Sequence, residues 1–197
     1  NLKIANIPKV RTRKLQVMDV VGCDLQEIEV EAHDGSRYLA IYGDHASGCL
    51  ATVPLKKKSD QASVGIDVVN RMETMSKKRL NILRADQGGE FTSKEFVSKL
   101  RSKGVRIEYS DTDQPFQNGL AEVLGGKIVR MMRAARVLSG VPRIYCPENA
   151  AYQTWIHNRV SLKRQKGLTT PIQELTGERA DRSRARVFGC EAYVIIR

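Results

Sequence analysis

The fold is predicted by the stretch NILRADQGGEF, residues 81–91. A short apolar run that ends in a carboxylate is typical of a strand, and the glycines after it indicate a turn. Open α/β sheets carry their functional sites at the carboxyl ends of their strands. Asp86 is therefore a candidate site residue, although an aspartate in this position also commonly serves only to form the turn.

The segments on either side of this stretch alternate between strand-like and helix-like patterns. The first three strands are predicted to form an antiparallel meander. The order of elements predicts an α/β fold with a mixed sheet flanked by helices. Strands are predicted at residues 15–22, 38–44, 49–55, 81–86 and 106–110, with another at 186–196. Helices are predicted at residues 59–78 (with Ser59 as N-cap), 93–103, about 119–138, about 147–162 and from Thr170-Pro171 onwards.

Composition favours a globular protein with a polyanionic partner. The chain has 197 residues, 41% hydrophobic, and 33 Lys+Arg against 22 Asp+Glu give a net charge of +11. This excess favours nucleic acid as the partner. No apolar run is long enough to span a membrane and no signal peptide is visible, so we expect neither a membrane nor a secreted protein. The chain does not begin with Met, and we expect it to be a piece of a longer protein.

Two further acids are candidates for the same site as Asp86. Asp19 lies within the predicted strand 15–22, where an acid among apolar residues is costly unless it is paired or binds a ligand. Alternatively, it faces an exposed edge. Glu122 opens a predicted helix, a position that the helix dipole alone also favours. Three carboxylates converging at one edge of the sheet would suit Mg²⁺ or Mn²⁺, which prefer hard oxygen ligands.

Six segments, in order along nearly the whole chain, resemble the integrase catalytic core of copia-type retrotransposons. They include LRADQGGEF (residues 83–91) and QPFQNGLAE (residues 114–122), and 35 residues separate Asp86 from Glu122, the spacing of D,D-35-E integrases. The other four are DVVG (19–22), Asn158-Arg159, Thr170-Pro171 and RVFGCEAYV (186–194).

The resemblance implies an RNase H-like fold with five strands and a catalytic, metal-binding triad of Asp19, Asp86 and Glu122. It implies two Mg²⁺ or Mn²⁺ ions, 3′-end processing of the element's double-stranded DNA and strand transfer into host DNA. It further implies a homo-oligomer, release from a polyprotein, and a location in the nucleus and in cytoplasmic virus-like particles. The expected organisation is a basic lead-in (1–14), the catalytic core (15–165) and a C-terminal extension towards a following module (166–197).

Three other acids remain open. Asp24, five residues after Asp19, is an alternative first ligand, although its position after Gly22 suggests that it leaves the strand. Asp44 matches a recurring acid of the family and is interpreted as structural or substrate-orienting. Glu90 is interpreted as part of the junction between turn and helix.

The predicted DNA contacts follow Glu122. Lys127, Arg130, Arg133 and Arg136 recur every three residues on one helix, and no acid lies between residues 123 and 147. Such residues contact phosphates with little sequence preference; the alternative is a solvated helix face. Gln117 and Asn118 resemble the loop that handles the DNA end.

The sequence departs from the family pattern directly after Glu122, where Val123-Leu124-Gly125-Gly126 stands in place of Arg and polar residues. Each glycine inside a helix costs about 1 kcal/mol relative to Ala, so we expect a frayed or kinked helix. A catalytically inactive DNA-binding remnant is therefore a rival hypothesis. A nuclease acting on RNA–DNA hybrids is another, which the segment GLAEV argues against.

Overall fold

The computed structural model describes residues 14–109, 119–160 and 169–191, and only the backbone of residues 119–122. This part of the chain forms a five-stranded sheet with helices on both faces. The strands are β1 (Val20–Glu27), β2 (Tyr38–Asp44), β3 (Leu50–Leu55), β4 (Ile82–Ala85) and β5 (Arg106–Tyr109). The helices are α1 (Gln61–Ser76), α2 (Gly89–Thr92), α3 (Lys94–Ser102), α4 (Gly119–Ser139), α5 (Cys146–Arg159) and α6 (Pro171–Thr176).

The sheet has the strand order β3-β2-β1-β4-β5. β1, β2 and β3 form the predicted antiparallel meander, whereas β4 pairs parallel to β1 and β5 pairs parallel to β4. The α/β class, the mixed sheet and the five strands are therefore confirmed. β1 and β4 are a parallel pair in the middle of the sheet, and β1 continues to Glu27, past its last pairing with β4 at Gly22.

Each face of the sheet has its own apolar cluster. On one face, alternate residues of β1 and β4 such as Val21 and Leu83 pack against α1, α3 and α6. On the other face, Leu39 and Ile41 of β2 pack against Leu124 and Ile128 of α4. α4 and α5 therefore cover the face that holds the even-numbered residues of β1.

The predicted boundaries hold for β2 but not for β1. The chain is extended from Val20 to Glu27 rather than from residue 15 to 22. Met18, just before β1, has a φ of +68°, a left-handed conformation that interrupts an extended chain. The strand therefore starts later and continues past Gly22, contrary to the prediction.

The helices also differ from expectation in places. α1 begins at Gln61 after a 3-10 turn (Lys58–Asp60), so Ser59 is not its N-cap. α4 is an unbroken helix through both glycines, so the expected fraying is not found in it. Residues 186–191 form no strand, and residues 192–196 lie outside the described part.

α6 joins the same core as the sheet. The Thr170 side chain caps its first turn by accepting a hydrogen bond from the Gln173 N–H, and Leu175 is buried in the cluster with α1. The predicted boundary between residues 165 and 166 remains a prediction. Within the described residues, no helix is long and apolar enough to cross a membrane.

Candidate functional site

Two aspartates lie near the carboxyl end of β4: Asp24 within β1 and Asp86 directly after β4. In the parallel pairing of these strands, Gly22 lies opposite Arg84. Side chains alternate between the faces of a strand, so continuing this register by two residues brings Asp24 opposite Asp86 on the same face. Neighbouring strands are about 5 Å apart, so the two residues are close neighbours.

The buried Cys23 thiol lies close enough to three acids to be affected by their charge. Burial raises the pKa of Cys23, and the carboxylates of Asp86, Asp24 and Glu90 raise it further, in that order. Nearby negative charge disfavours the thiolate. Both effects favour the protonated thiol, which makes Cys23 a poor candidate for a nucleophile.

The Asp24 carboxylate is held at both of its oxygens. Its Oδ1 accepts a hydrogen bond from the Leu25 N–H (2.9 Å), and its Oδ2 accepts one from the Gln26 side-chain amide (3.2 Å). Asp24 is half-buried. A carboxylate fixed in this way keeps a defined orientation, and it retains further lone pairs for a ligand.

Asp86 and Glu90 approach each other across Gly88. The Gly88 N–H donates to Asp86 Oδ1 (3.0 Å). A Cβ at Gly88 would lie 3.0 Å from Asp86 Oδ1 and 2.9 Å from Glu90 Cδ, so no larger residue fits there without a shift. Glu90 lies in the first turn of α2, as the prediction of a junction role implies.

Asp19 lies at the opposite end of β1. It belongs to the turn before the strand, so the prediction that it lies within a strand is wrong. Its Oδ2 accepts from the Gln16 N–H (2.8 Å) and its Oδ1 from the Asn81 side chain (3.0 Å). Five residues of extended chain separate it from Asp24, roughly 16 Å. The structure therefore does not bring Asp19 and Asp86 together.

A signal for Asp24 was present in the sequence. Val21, Cys23 and Leu25 are apolar at alternate positions, which extends the strand past Gly22 and assigns Asp24 to the opposite face. Gly22 suggested the end of the strand instead, because glycine commonly marks a turn. Asp24 remained only an alternative for that reason.

Asp44 is a structural acid. It is completely buried, and its oxygens accept from the Met18 N–H (2.8 Å), the Ser47 N–H (2.7 Å) and the Ser47 hydroxyl (2.6 Å). It lies opposite Val21, at the end of the sheet away from Asp86. These bonds hold the turn after β2 and the left-handed Met18, which favours the structural interpretation over the substrate-orienting one.

Glu122 belongs to the first turn of α4. One turn further along, a Cβ at Gly125 would lie 3.6 Å from Asp24 Oδ2. Residues three apart lie on the same side of a helix. Glu122 and Gly125 therefore lie on the same side of α4, the side that faces Asp24.

The chemistry of these acids fits a hard divalent cation. Carboxylate oxygens are the ligands that Mg²⁺ and Mn²⁺ prefer, and Asp24 and Asp86 supply two of them on one face. Among the side chains that the structure describes, no three His, Cys, Asp or Glu are grouped so that they could hold a metal ion. The side chain of Glu122 is not among these.

The chain has clear relatives among known proteins. It is 30% identical over 182 residues, 92% of its length, to the Retrovirus-related Pol polyprotein from transposon TNT 1-94 of Nicotiana tabacum. It is 28% identical over 181 residues to the Pol polyprotein from transposon RE1 of Arabidopsis thaliana. Homologues of this chain are copia-type retrotransposon Pol polyproteins. The chain spans only 14% and 12% of the length of these two relatives.

A solved structure shares the fold of this retrotransposon Pol homologue. The HTLV-2 integrase catalytic core domain, in complex with magnesium and in a trimeric form, matches it with a TM-score of 0.62 at 18% identity. The match covers 82% of this chain and 98% of that one, and it confirms the expected RNase H-like fold. No family model matches the chain.

The four basic residues after Glu122 do not share one face of the Pol homologue's α4. A spacing of three turns the side chains by about 60° at each step, so Lys127 and Arg136 point in opposite directions. Lys127 is half-buried, and burial lowers its pKa. Arg130 and Arg133 are both exposed, and Arg133 pairs with Glu29 (3.1 Å).

Arg136 lines a cleft of about 480 Å³ between the end of β1 and the last turns of α4. Gln117 and Asn118 lie outside the described residues. The predicted DNA-binding role of these positions therefore stays a prediction.

Proposed function

We propose that the chain is the catalytic core of a retrotransposon integrase. It would remove nucleotides from the 3′ ends of the element's DNA and then join those ends to host DNA. The observation that carries the proposal is the parallel register of β1 and β4, which, continued by two residues, brings Asp24 opposite Asp86. The helix whose first turn holds Glu122 lies against Asp24. The homology to retrotransposon Pol polyproteins supports the same activity.

The metal-binding acids in this proposal are Asp24, Asp86 and Glu122, with Asp24 in the role first predicted for Asp19. They would hold Mg²⁺ or Mn²⁺, and the family resemblance implies two ions. Bound ions of this kind activate an oxygen nucleophile and stabilise the leaving oxygen of a phosphodiester. The chain's own contribution is orientation, because Leu25 and Gln26 fix the Asp24 carboxylate.

The DNA partner would meet the basic residues of α4. Arg130 is exposed one to two turns beyond Gly125, so it is the proposed contact for a duplex that extends from the acids along and around α4. Lys127, Arg133 and Arg136, and the loop residues Gln117 and Asn118, are proposed to extend this contact. Phosphate contacts of this kind make binding dependent on salt and largely independent of sequence.

The wider setting is proposed from the homology. The chain would be a segment of a Pol polyprotein, with a basic lead-in (1–14), a core (15–165) and an extension (166–197). It would act as a homo-oligomer on element ends and host DNA. Its locations would be the virus-like particle in the cytoplasm and the nucleus.

The test is a nicking and strand-transfer assay on labelled linear duplex DNA with Mg²⁺ or Mn²⁺, and with EDTA as control. We expect metal-dependent products from the unchanged chain. Asp24→Asn and Glu122→Gln should each reduce them by more than about 100-fold, because even outer partners of metal ligands contribute 10–100-fold. Asp19→Asn is the matched control and should retain activity.

Two results would contradict the proposal. Salt-sensitive DNA binding without products, equal in all variants, would indicate a non-catalytic DNA-binding remnant of the same fold. Loss of products in Asp19→Asn but not in Asp24→Asn would return the first metal ligand to Asp19.

A further inference from the structure

Two adjacent glycines of α4 have different surroundings. A Cβ at Gly125 would lie 2.9 Å from the Gln26 side-chain nitrogen and 3.3 Å from Ile41 Cδ1. A Cβ at Gly126 would meet only Arg130 Nη1, at 3.4 Å. Neither glycine has a left-handed backbone, since both lie within a continuous helix. A side chain at position 125 would therefore displace the Gln26 amide and press on Ile41, whereas position 126 has more room.

Gln26 joins Gly125 to the acidic site. Its side-chain nitrogen donates to Asp24 Oδ2, and the same nitrogen lies where a side chain at position 125 would begin. The Gln26 amide thus lies between β1, which carries Asp24, and α4, which carries Glu122. Its position depends on both elements.

We propose that Gln26 and Gly125 are positioning residues of the site, an inference that rests on the proposed function. Gln26 orients the Asp24 carboxylate. Gly125 sets the distance between α4 and β1, and so the distance from Glu122 to Asp24 and Asp86. A metal ion tolerates little change in the spacing of its ligands, because Mg²⁺ demands near-ideal octahedral geometry. Gly125, which departs from the family pattern, therefore maintains the spacing between α4 and β1 that the site requires.

The test compares Gly125→Ala with Gly126→Ala, a matched pair that adds one methyl group to the same helix. Both changes favour the helix equally. The readout is the dissociation constant for Mn²⁺ alone, measured by titration calorimetry on the whole 197-residue chain. We expect Gly125→Ala to weaken Mn²⁺ binding about 10–100-fold, the range found for partners that orient metal ligands. Gly126→Ala should change it less than about 2-fold.

A second variant covers the case in which Gly125→Ala fails to fold. Gln26→Met keeps the volume of the side chain but removes the hydrogen bond to Asp24. We expect about 10-fold weaker Mn²⁺ binding with a thermal midpoint close to that of the unchanged chain. This separation of metal affinity from stability is what a merely structural role would not produce.

The outcomes separate the two proposals. Equal Mn²⁺ affinity in the two alanine variants, or unchanged affinity in Gln26→Met, would overturn the inference and leave the proposed function standing. If the unchanged chain does not bind Mn²⁺, the proposed function fails, and the inference fails with it.

Discussion

The two ends of the sheet both carry acids, but they use them differently. At the amino end, Asp44 and Glu73 are buried, and hydrogen bonds from the backbone and from neighbouring side chains satisfy them. Near the carboxyl end of β4, Asp86 is exposed and Asp24 is half-buried, and the strand register, continued by two residues, brings them opposite each other. An acid that is buried and saturated supports the fold, whereas paired and accessible acids leave lone pairs for a ligand.

The largest effect is expected when one acid is removed from each end of the sheet. Asp44→Ala leaves the buried N–H groups of Met18 and Ser47 without their acceptor, and each such group costs about 1–3 kcal/mol. We expect the free energy of unfolding in urea to fall by about 4 kcal/mol. Asp86→Asn, at an exposed position, should change it by no more than about 0.5 kcal/mol. A comparable loss of unfolding free energy in both variants would contradict this division between structural acids at one end of the sheet and ligand-binding acids at the other.

The pH dependence of stability gives a second, smaller effect at the amino end. Burial raises the pKa of Glu73, but the Leu80 N–H together with Lys103 and Arg79 outweighs it, so that the pKa falls below its ordinary value of 4.5. Because the folded pKa is lowered, the ionised carboxylate stabilises the fold fully above pH 4.5 and progressively less below it.

Glu73→Gln should therefore cost about 2 kcal/mol at pH 7, the usual range for hydrogen bonds to a charged group. The difference from the unchanged chain should shrink as the pH falls through the folded pKa. Urea unfolding at a series of pH values between neutral and about 3 measures this. A difference that stays constant across the series would show that the charge of Glu73 contributes nothing.

The smallest effect concerns the helix above the carboxyl-end acids. If DNA lies there, Arg130→Gln should reduce the slope of log K against log salt by about 0.9, the value for one phosphate contact. Arg133→Gln should reduce it less, because Glu29 already holds that guanidinium. Fluorescence anisotropy with a labelled duplex at several salt concentrations measures both slopes. The same reduction in both variants would contradict a contact centred on Arg130.

The sequence was sufficient to predict the sheet and most of the helices, because their apolar periodicity is strong. Asp86 was predicted correctly at the end of a strand, since the glycines after it mark the turn. The start of β1 was not predictable in the same way. The left-handed Met18 depends on a hydrogen bond to Asp44, 26 residues away, and local patterns cannot show such a contact.

The glycines of α4 illustrate the same limit. Helix propensity alone predicts a weakened helix at Gly125-Gly126, whereas packing against Gln26 and Ile41 gives Gly125 a reason to be there. The structure gives no comparable reason for Gly126. The surroundings of Asp24 thus depend on contacts between distant segments. The sequence predicted Asp86 at the end of a strand, but it predicted Asp19 rather than Asp24 as the acid beside it.

The position of the metal site is tested most directly by Mn²⁺ binding to the variants Asp24→Asn and Asp19→Asn. Titration calorimetry measures this binding beside that of the unchanged chain. We expect the affinity for Mn²⁺ to fall by more than about 100-fold in Asp24→Asn and to change by less than about 2-fold in Asp19→Asn. A large loss in Asp19→Asn together with full binding by Asp24→Asn would contradict it, because the metal site would then lie at the amino end of β1.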